Sequence, residues 1–276
     1  MQFIIPALVG ACVSAAAFAL FLAMGPDRAG GPPPPGASKP GPLGDLAVLN
    51  DTQRAAIEQT VQEYLIKNPQ ILMQMSELLE KQQADAQSAQ VKTAISENAD
   101  LIYRDKYGLE TGNPEGNVTI VEFSDYNCPY CKRALKDLTK LLGSDKNVRV
   151  VLKEFPIFGE RSEGTARVAI AAKHQGKYFE MHTALLKNRG QNTEKSALAL
   201  AEKLGFDMDK LKQDMSSDEV KKIIAETRDL GTKLGINGTP FYLVGDRVIP
   251  GAPENLYQVF QQHVADVRKN GCETKC

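Results

Sequence analysis

The stretch Val118-Thr119-Ile120-Val121-Glu122-Phe123-Ser124-Asp125-Tyr126-Asn127-Cys128-Pro129-Tyr130-Cys131-Lys132 runs from a β-branched apolar segment into two cysteines three positions apart. Residues 118–123 read as a strand, with Glu122 as the one acidic interruption. From Lys132 onward Leu135, Leu138 and Leu142 recur at helical spacing. Cys128 and Cys131 therefore sit where a strand hands the chain to a helix N-terminus. Unpaired amides and the helix dipole favour an anion there, so the outer sulfur, Cys128, is the candidate nucleophile in thiolate form. Cys131, one turn further in, is the candidate resolving thiol. Pro129 holds the turn and has no amide to donate, and Tyr130 lies between the sulfurs, where it contacts whatever approaches them. An inert structural disulfide is the plainer alternative, and the strand–CxxC–helix setting disfavours it.

Outward from this centre, residues 148–152 form the next strand, which Phe155-Pro156-Ile157 terminates. Residues 161–230 read as helical, with Val168, Ala171 and Ala172 marking a first helix and residues 179–186 and 197–204 two more. Residues 241–244 and 247–249 form a hairpin about Gly245-Asp246, and Leu256, Phe260 and Val264 mark a last helix. His174, His182 and His263 show no metal-ligand spacing and suit surface or packing roles. No phosphate-binding, dinucleotide or zinc-protease motif occurs, and neither a cofactor nor a metal is implied.

The N-terminal third is different. Residues 3–24 are apolar and uncharged, long enough to cross a bilayer, and residues 25–44 are a Gly/Pro-rich linker. An uncleaved anchor is the first reading of residues 1–24 and a cleaved signal the second; either places the folded part outside the cytoplasm. Residues 45–97 then read as a helical arm. Asn50 or Asp51 caps a helix with Ile57, Val61, Tyr64 and Leu65 at helical spacing, and Asn68-Pro69 starts another bearing Ile71, Leu72, Met75, Leu78 and Leu79. A polar helical stretch follows, with Val91, Ile95 and Ile102 continuing a seam toward the main domain. The apolar face of the arm needs a partner, and self-association supplies one.

With 276 residues, 33 Lys and Arg against 34 Asp and Glu, a net charge of -1 and no tryptophan, the chain lacks the basic stripe of a nucleic-acid binder. Five cysteines exclude a disulfide-dense scaffold. A zinc site from Cys128, Cys131, Cys272 and Cys276 is conceivable, but the two pairs sit in unlike contexts. In the tail 269–276, Cys272 and Cys276 have three open roles: a local disulfide (the first reading), a bridge between subunits, or a relay to Cys128 and Cys131.

Residues 123–132 resemble the active-site segment of the bacterial DsbA-like family of the thioredoxin superfamily. Gly235-Ile236-Asn237-Gly238-Thr239-Pro240-Phe241, continuing to Ala252, resembles that family's cis-proline loop and closing hairpin. The resemblance covers residues 98–268. It implies an α/β thioredoxin-like fold with a helical insertion at 161–230, preceded by the amphipathic oligomerisation arm. By the same resemblance Thr239-Pro240 is a cis peptide facing Cys128 and binds a substrate strand, and buried Glu122 assists proton transfer at Cys131; a half-exposed strand glutamate is the plainer alternative for Glu122.

Tyr64-Leu65-Ile66-Lys67-Asn68-Pro69-Gln70-Ile71-Leu72 resembles the N-terminal region of ScsC-like (suppressor of copper sensitivity) proteins. That implies an oligomeric disulfide isomerase or reductase acting on exported cysteine-containing proteins and kept reduced by a membrane redox partner. The alternatives are a monomeric DsbA-like oxidase and a Cu(I)-binding or chaperone module without turnover.

Overall fold

The run from Val118 to Ser124 is β-branched and apolar enough to be buried on both faces, and it becomes the central strand of a five-stranded mixed sheet. The computed structural model describes residues 49–276. The apolar run 3–24 and the linker 25–44 lie outside the described residues. Among the described residues no helix is long and apolar enough to cross a membrane.

The chain divides into two units at Leu72/Met73. In the first, α1 (Asp51–Lys67) is capped by Asn50, whose Oδ1 accepts Gln53 N while Gln53 Oε1 accepts Asn50 N, a reciprocal capping box. No residue of α1 is buried, and Ile57, Val61 and Tyr64 are all exposed. The helix α2 (Gln70–Glu97) begins after Asn68-Pro69 and runs across the division. In its part beyond Met73, Met75, Leu78 and Leu79 are exposed, whereas Ile95 is fully buried.

In the second unit α3 (Ala99–Tyr103) leads to β1 (Glu110–Gly112), β2 (Val118–Ser124), α4 (Pro129–Ser144) and β3 (Val148–Glu154). Five helices follow: α5 (Glu160–Ala171), α6 (Tyr178–Lys187), α7 (Glu194–Lys203), α8 (Met208–Asp214) and α9 (Asp218–Lys233). The hairpin β4 (Phe241–Val244) and β5 (Arg247–Pro250) and the last helix α10 (Leu256–Asn270) complete the chain. Strand order is β1-β3-β2-β4-β5. β2 and β3 are parallel, with Glu122 opposite Leu152 and Ser124 opposite Glu154, while β4 joins β2 antiparallel, with Glu122 opposite Tyr242.

Period-two alternation divides the core into layers on either side of the sheet. Ile120, Val150, Leu152 and Tyr242 pack with Leu138, Met181 and Phe260. Val121, Phe123, Val151 and Leu243 pack with Ile95, Ile102 and Leu230. Phe123 stands edge-on to both Phe155 and Phe241, 6.0 and 6.1 Å away between ring centres. The close approach of α9 to Phe155 requires Gly231, because a Cβ there would lie 2.5 Å from the Phe155 ring. The short strand β1 and the helix α3, neither anticipated from sequence, pack at the β3 edge and on the second layer respectively.

Candidate functional site

At the end of β2 the buried carboxylate of Asp125 organises the turn. It accepts Asn127 N at 2.7 Å, Ser162 Oγ at 2.8 Å and Ile157 N at 2.8 Å. Asn192, in the loop before α7, adds a second set of ties: its Nδ2 donates to Tyr126 O at 2.8 Å, and its backbone N to Asn127 Oδ1 at 2.7 Å. The helical insertion thereby fixes the chain just ahead of the cysteines. Nothing in the spacing of Asp125, Ser162 and Asn192 marks them in the sequence.

Cys128 is the N-cap of α4 and Pro129 occupies the first turn. The Cys128 sulfur accepts the Cys131 amide at 3.4 Å. Its thiol donates to Thr239 O at 3.1 Å, across from the cis Thr239-Pro240 peptide. Both cysteines are free and buried, Cys128 retaining 2% of its surface and Cys131 none. Tyr130, between them in the chain, is 55% exposed, with the Arg133 guanidinium 5.0 Å from its ring centre.

The two sulfurs have opposite proton affinities. The Cys131 thiol, donating to the Cys128 sulfur, is the largest influence pulling Cys128 down to about 6; burial opposes it, and Thr239 and the amides of Cys131 and Tyr130 assist. The Thr239 hydroxyl is buried and without a hydrogen-bond partner, which leaves it free to donate to a thiolate. Burial pushes Cys131 well above the usual thiol range, with the Cys128 and Glu122 charges adding to it.

Glu122 is 1% exposed and accepts Tyr242 OH at 3.0 Å on Oε1, while Oε2 has no partner. Burial is the chief cause that raises its carboxyl to about 7, with His182 and the Tyr242 hydroxyl opposing and Glu154 and Cys128 adding. A carboxyl poised near neutrality beside a thiol of high proton affinity has the properties of a proton acceptor for that thiol.

A cavity of about 1110 Å³ opens beside the turn. Tyr130, Thr239 and Pro240 form the end next to Cys128; Val91, Ile236, Phe241 and Val248 give apolar walls, and Lys92, Arg247 and Glu273 a charged margin. Cys272 and Cys276 are joined to each other in a five-residue loop whose Thr274 N donates to Asp246 Oδ2 at 2.8 Å. Gly245, at φ 54°, makes the hairpin turn against which Cys272 packs. Among the described residues no group of three His, Cys, Asp or Glu side chains converges to hold a metal ion. Of the histidines, His182 is fully buried, and His174 pairs with Glu219 at 3.0 Å.

Residues 119–263, over half of the chain, match the DSBA-like thioredoxin domain, and the chain belongs to that family. Residues 53–86 match the copper resistance protein ScsC N-terminal domain. Among solved structures, a thioredoxin-like oxidoreductase from Silicibacter pomeroyi DSS-3 is 44% identical, covering 62% of this chain and 98% of that one, with a TM-score of 0.60. Proteus mirabilis ScsC in a transitional conformation is 28% identical, covering 81% of this chain and 100% of that one, with a TM-score of 0.58. A curated relative, Na(+)/H(+) antiporter NhaA 1 of Salinispora arenicola, is 33% identical over 138 residues, 49% of this chain. The chain spans only 21% of that protein's length.

Proposed function

We propose that the chain catalyses thiol–disulfide exchange on exported cysteine-containing proteins, with Cys128 as nucleophile and Cys131 as resolving thiol. The observation that carries this reading is the opposite tuning of two sulfurs in one turn: Cys128 lowered to about 6 and Cys131 held well above the thiol range. The Cys128 thiolate attacks a substrate disulfide, forming a mixed disulfide and expelling the other substrate sulfur as a thiolate. Cys131 then loses its proton to the Glu122 carboxylate and attacks the Cys128 sulfur. That step releases the second substrate thiolate and leaves a Cys128–Cys131 disulfide, which a membrane redox partner reduces. If a substrate thiol attacks first, the substrate leaves with rearranged disulfides and the enzyme returns to its dithiol form without net oxidation. Thr239 and Pro240, at the cavity end next to Cys128, receive an extended substrate strand, and Tyr130 contacts it from the helix side.

The exposed apolar residues of α1 and α2 support an oligomer, and hence an isomerase or reductase whose several sites hold one substrate at high effective concentration. The low proton affinity of Cys128 equally supports a second reading, a monomeric oxidase. The apolar run 3–24 supports a periplasmic location with an inner-membrane tether.

The test is reactivation of a scrambled-disulfide protein by the chain and by a Val61→Glu/Leu72→Glu variant, with oligomeric state measured by light scattering. Reactivation that falls as the variant dissociates is the expected result. Weak reactivation by both, with rapid oxidation of reduced substrate, selects the oxidase. Stoichiometric Cu(I) binding without exchange rejects both.

A further inference from the structure

A second buried carboxyl lies on the same sheet face as Glu122. Glu154 ends β3, and the parallel register pairs it with Ser124, two positions beyond Glu122 on β2. Alternation puts Glu122, Ser124, Leu152 and Glu154 on one face. Two residues along one strand and one strand across place the two acids about 8 Å apart at the backbone. Glu154 is 1% exposed, and its surroundings are built around it. Tyr178 OH donates to Oε1 at 2.6 Å, and Tyr126 OH donates to the same oxygen. Because the Tyr126 hydrogen is committed to Glu154, the 3.0 Å contact between Tyr126 OH and His182 Nδ1 makes Nδ1 the donor. Glu154 Oε2 and His182 Nε2 are buried and have no partner.

This cluster does more than fill the core. Tyr126 stands two residues before Cys128, and its carbonyl is held by Asn192, so the group touches the reactive turn directly. Two hydroxyl donors on one oxygen suit a carboxylate, and a charge there repels a second one on Glu122 through an interior that screens poorly.

We propose that Glu154 is a positioning residue for the exchange reaction: held by Tyr126 and Tyr178, its charge sets the pH at which Glu122 becomes able to take the Cys131 proton. The inference rests on the exchange reading above. Glu122 is faced by Cys128 and Cys131 of α4, Tyr242 of β4, His182 of α6 and Glu154 of β3. Glu154 is faced by Tyr126 of the turn and by Tyr178 and His182 of α6; Asp105, after α3, acts on Tyr178. Of the groups facing Glu122, Glu154 and Cys128 are those whose negative charge raises it, and Glu154 takes no part in the sulfur chemistry.

The test mixes the reduced full chain with an aromatic disulfide reagent in stopped flow across pH. The first thiol released reports attack by Cys128 and the second reports resolution by Cys131. Glu154→Gln keeps the shape and removes the charge. It is expected to move the midpoint of the second phase down by about one pH unit, with the first-phase midpoint unchanged. Tyr178→Phe, which withdraws one of the donors that favour the Glu154 charge, should shift the second phase the same way by less. It stands in if Glu154→Gln does not fold. A second-phase midpoint that stays in place, or two phases that move together, overturns the inference. A wild-type chain that releases no thiol rejects the exchange reading itself.

Discussion

Replacing Thr239 by valine isolates one contributor to the reactivity of Cys128. The side chain is nearly isosteric, and its hydroxyl has no hydrogen-bond partner while Cys128 is a thiol donating to Thr239 O. On ionisation the sulfur loses that donor role and becomes an acceptor, and the Thr239 hydroxyl is the uncommitted donor beside it. A hydrogen bond to a charged group contributes about 1.5–3 kcal/mol when buried. The Cys128 sulfur already has the Cys131 thiol and the amides of Cys131 and Tyr130 as donors, so one further donor adds somewhat less, about 1 kcal/mol, or somewhat under one pH unit. Thr239→Val should therefore raise the Cys128 midpoint from about 6 toward 7. Because only the reduced form carries a thiolate, the disulfide becomes less oxidising by about 20 mV at pH 8, where both proteins are ionised. Ultraviolet absorbance of the thiolate against pH, with Cys128→Ser as the blank, gives the midpoint; equilibration against glutathione gives the potential. An unchanged midpoint with intact folding would refute the assignment of Thr239 as a donor and leave Cys131 and the backbone amides as the whole cause.

Glu122→Gln should slow the release of the second thiol at least tenfold while changing the first phase far less, since Cys131 needs that carboxyl to take its proton whereas Cys128 feels only its charge. The same variant tests linkage. A carboxyl whose folded pKa is raised from 4.5 to about 7 withdraws stability as pH rises through that window. Denaturant titration at pH 8 should therefore show the variant about 3 kcal/mol more stable than wild type, with the gain gone at pH 4. Cys272→Ser/Cys276→Ser opens a five-residue loop and should cost about 1–2 kcal/mol, seen as a Tm lower by a few degrees, with exchange kinetics unaltered. Altered kinetics would favour the relay role for the tail. Gly231→Ala drives a Cβ into the Phe155 ring and should destabilise by about 1–3 kcal/mol despite the better helix propensity of alanine. On a scrambled substrate, the ratio of rearrangement to net reduction should fall as pH rises through 7, and a ratio independent of pH would count against Glu122 as the gate.

Much of the fold was legible because its signals are local. The apolar run at Val118, the leucine spacing after Lys132 and the Gly245-Asp246 turn each specify an element within a few residues. β1 escaped notice because Glu110-Thr111-Gly112 has no alternation long enough to register, and its strand character comes from pairing with Val151 and Val150. Of the candidate site, the sulfurs were legible through their spacing; Glu122 stood out as an acid in an apolar strand, but its burial and proposed role came only with the family resemblance. The same rule applied to Arg149, Lys153 and Glu154 would not have separated them, because β3 carries several charges and only the tertiary fold decides which is buried. Asp125, Asn127, Ser162 and Asn192 were silent for a different reason. Their contacts join segments 30 or more residues apart, and no periodicity encodes such a meeting.

The lowered proton affinity of Cys128 stabilises the dithiol enzyme relative to its disulfide, and this has the same sign for an oxidase and an isomerase. Direction must come from the fate of the mixed disulfide. In the proposed mechanism net oxidation or reduction proceeds through Cys131, whose buried thiol is raised well above the usual range and would give its proton to Glu122. As pH falls through about 7 Glu122 gains a proton, and on the proposed mechanism that route slows. The Cys128 sulfur, tuned to about 6, still attacks there. On that mechanism, capture at pH values between those two would outpace release, and a substrate's own thiols would have time to reach the mixed disulfide. On the proposed mechanism, two oppositely tuned sulfurs and a buried acid that titrates near neutrality thus favour rearrangement at mildly acid pH and turnover at alkaline pH. The apolar arm, by holding neighbouring sites together, would extend the time available for rearrangement without altering the chemistry at either sulfur.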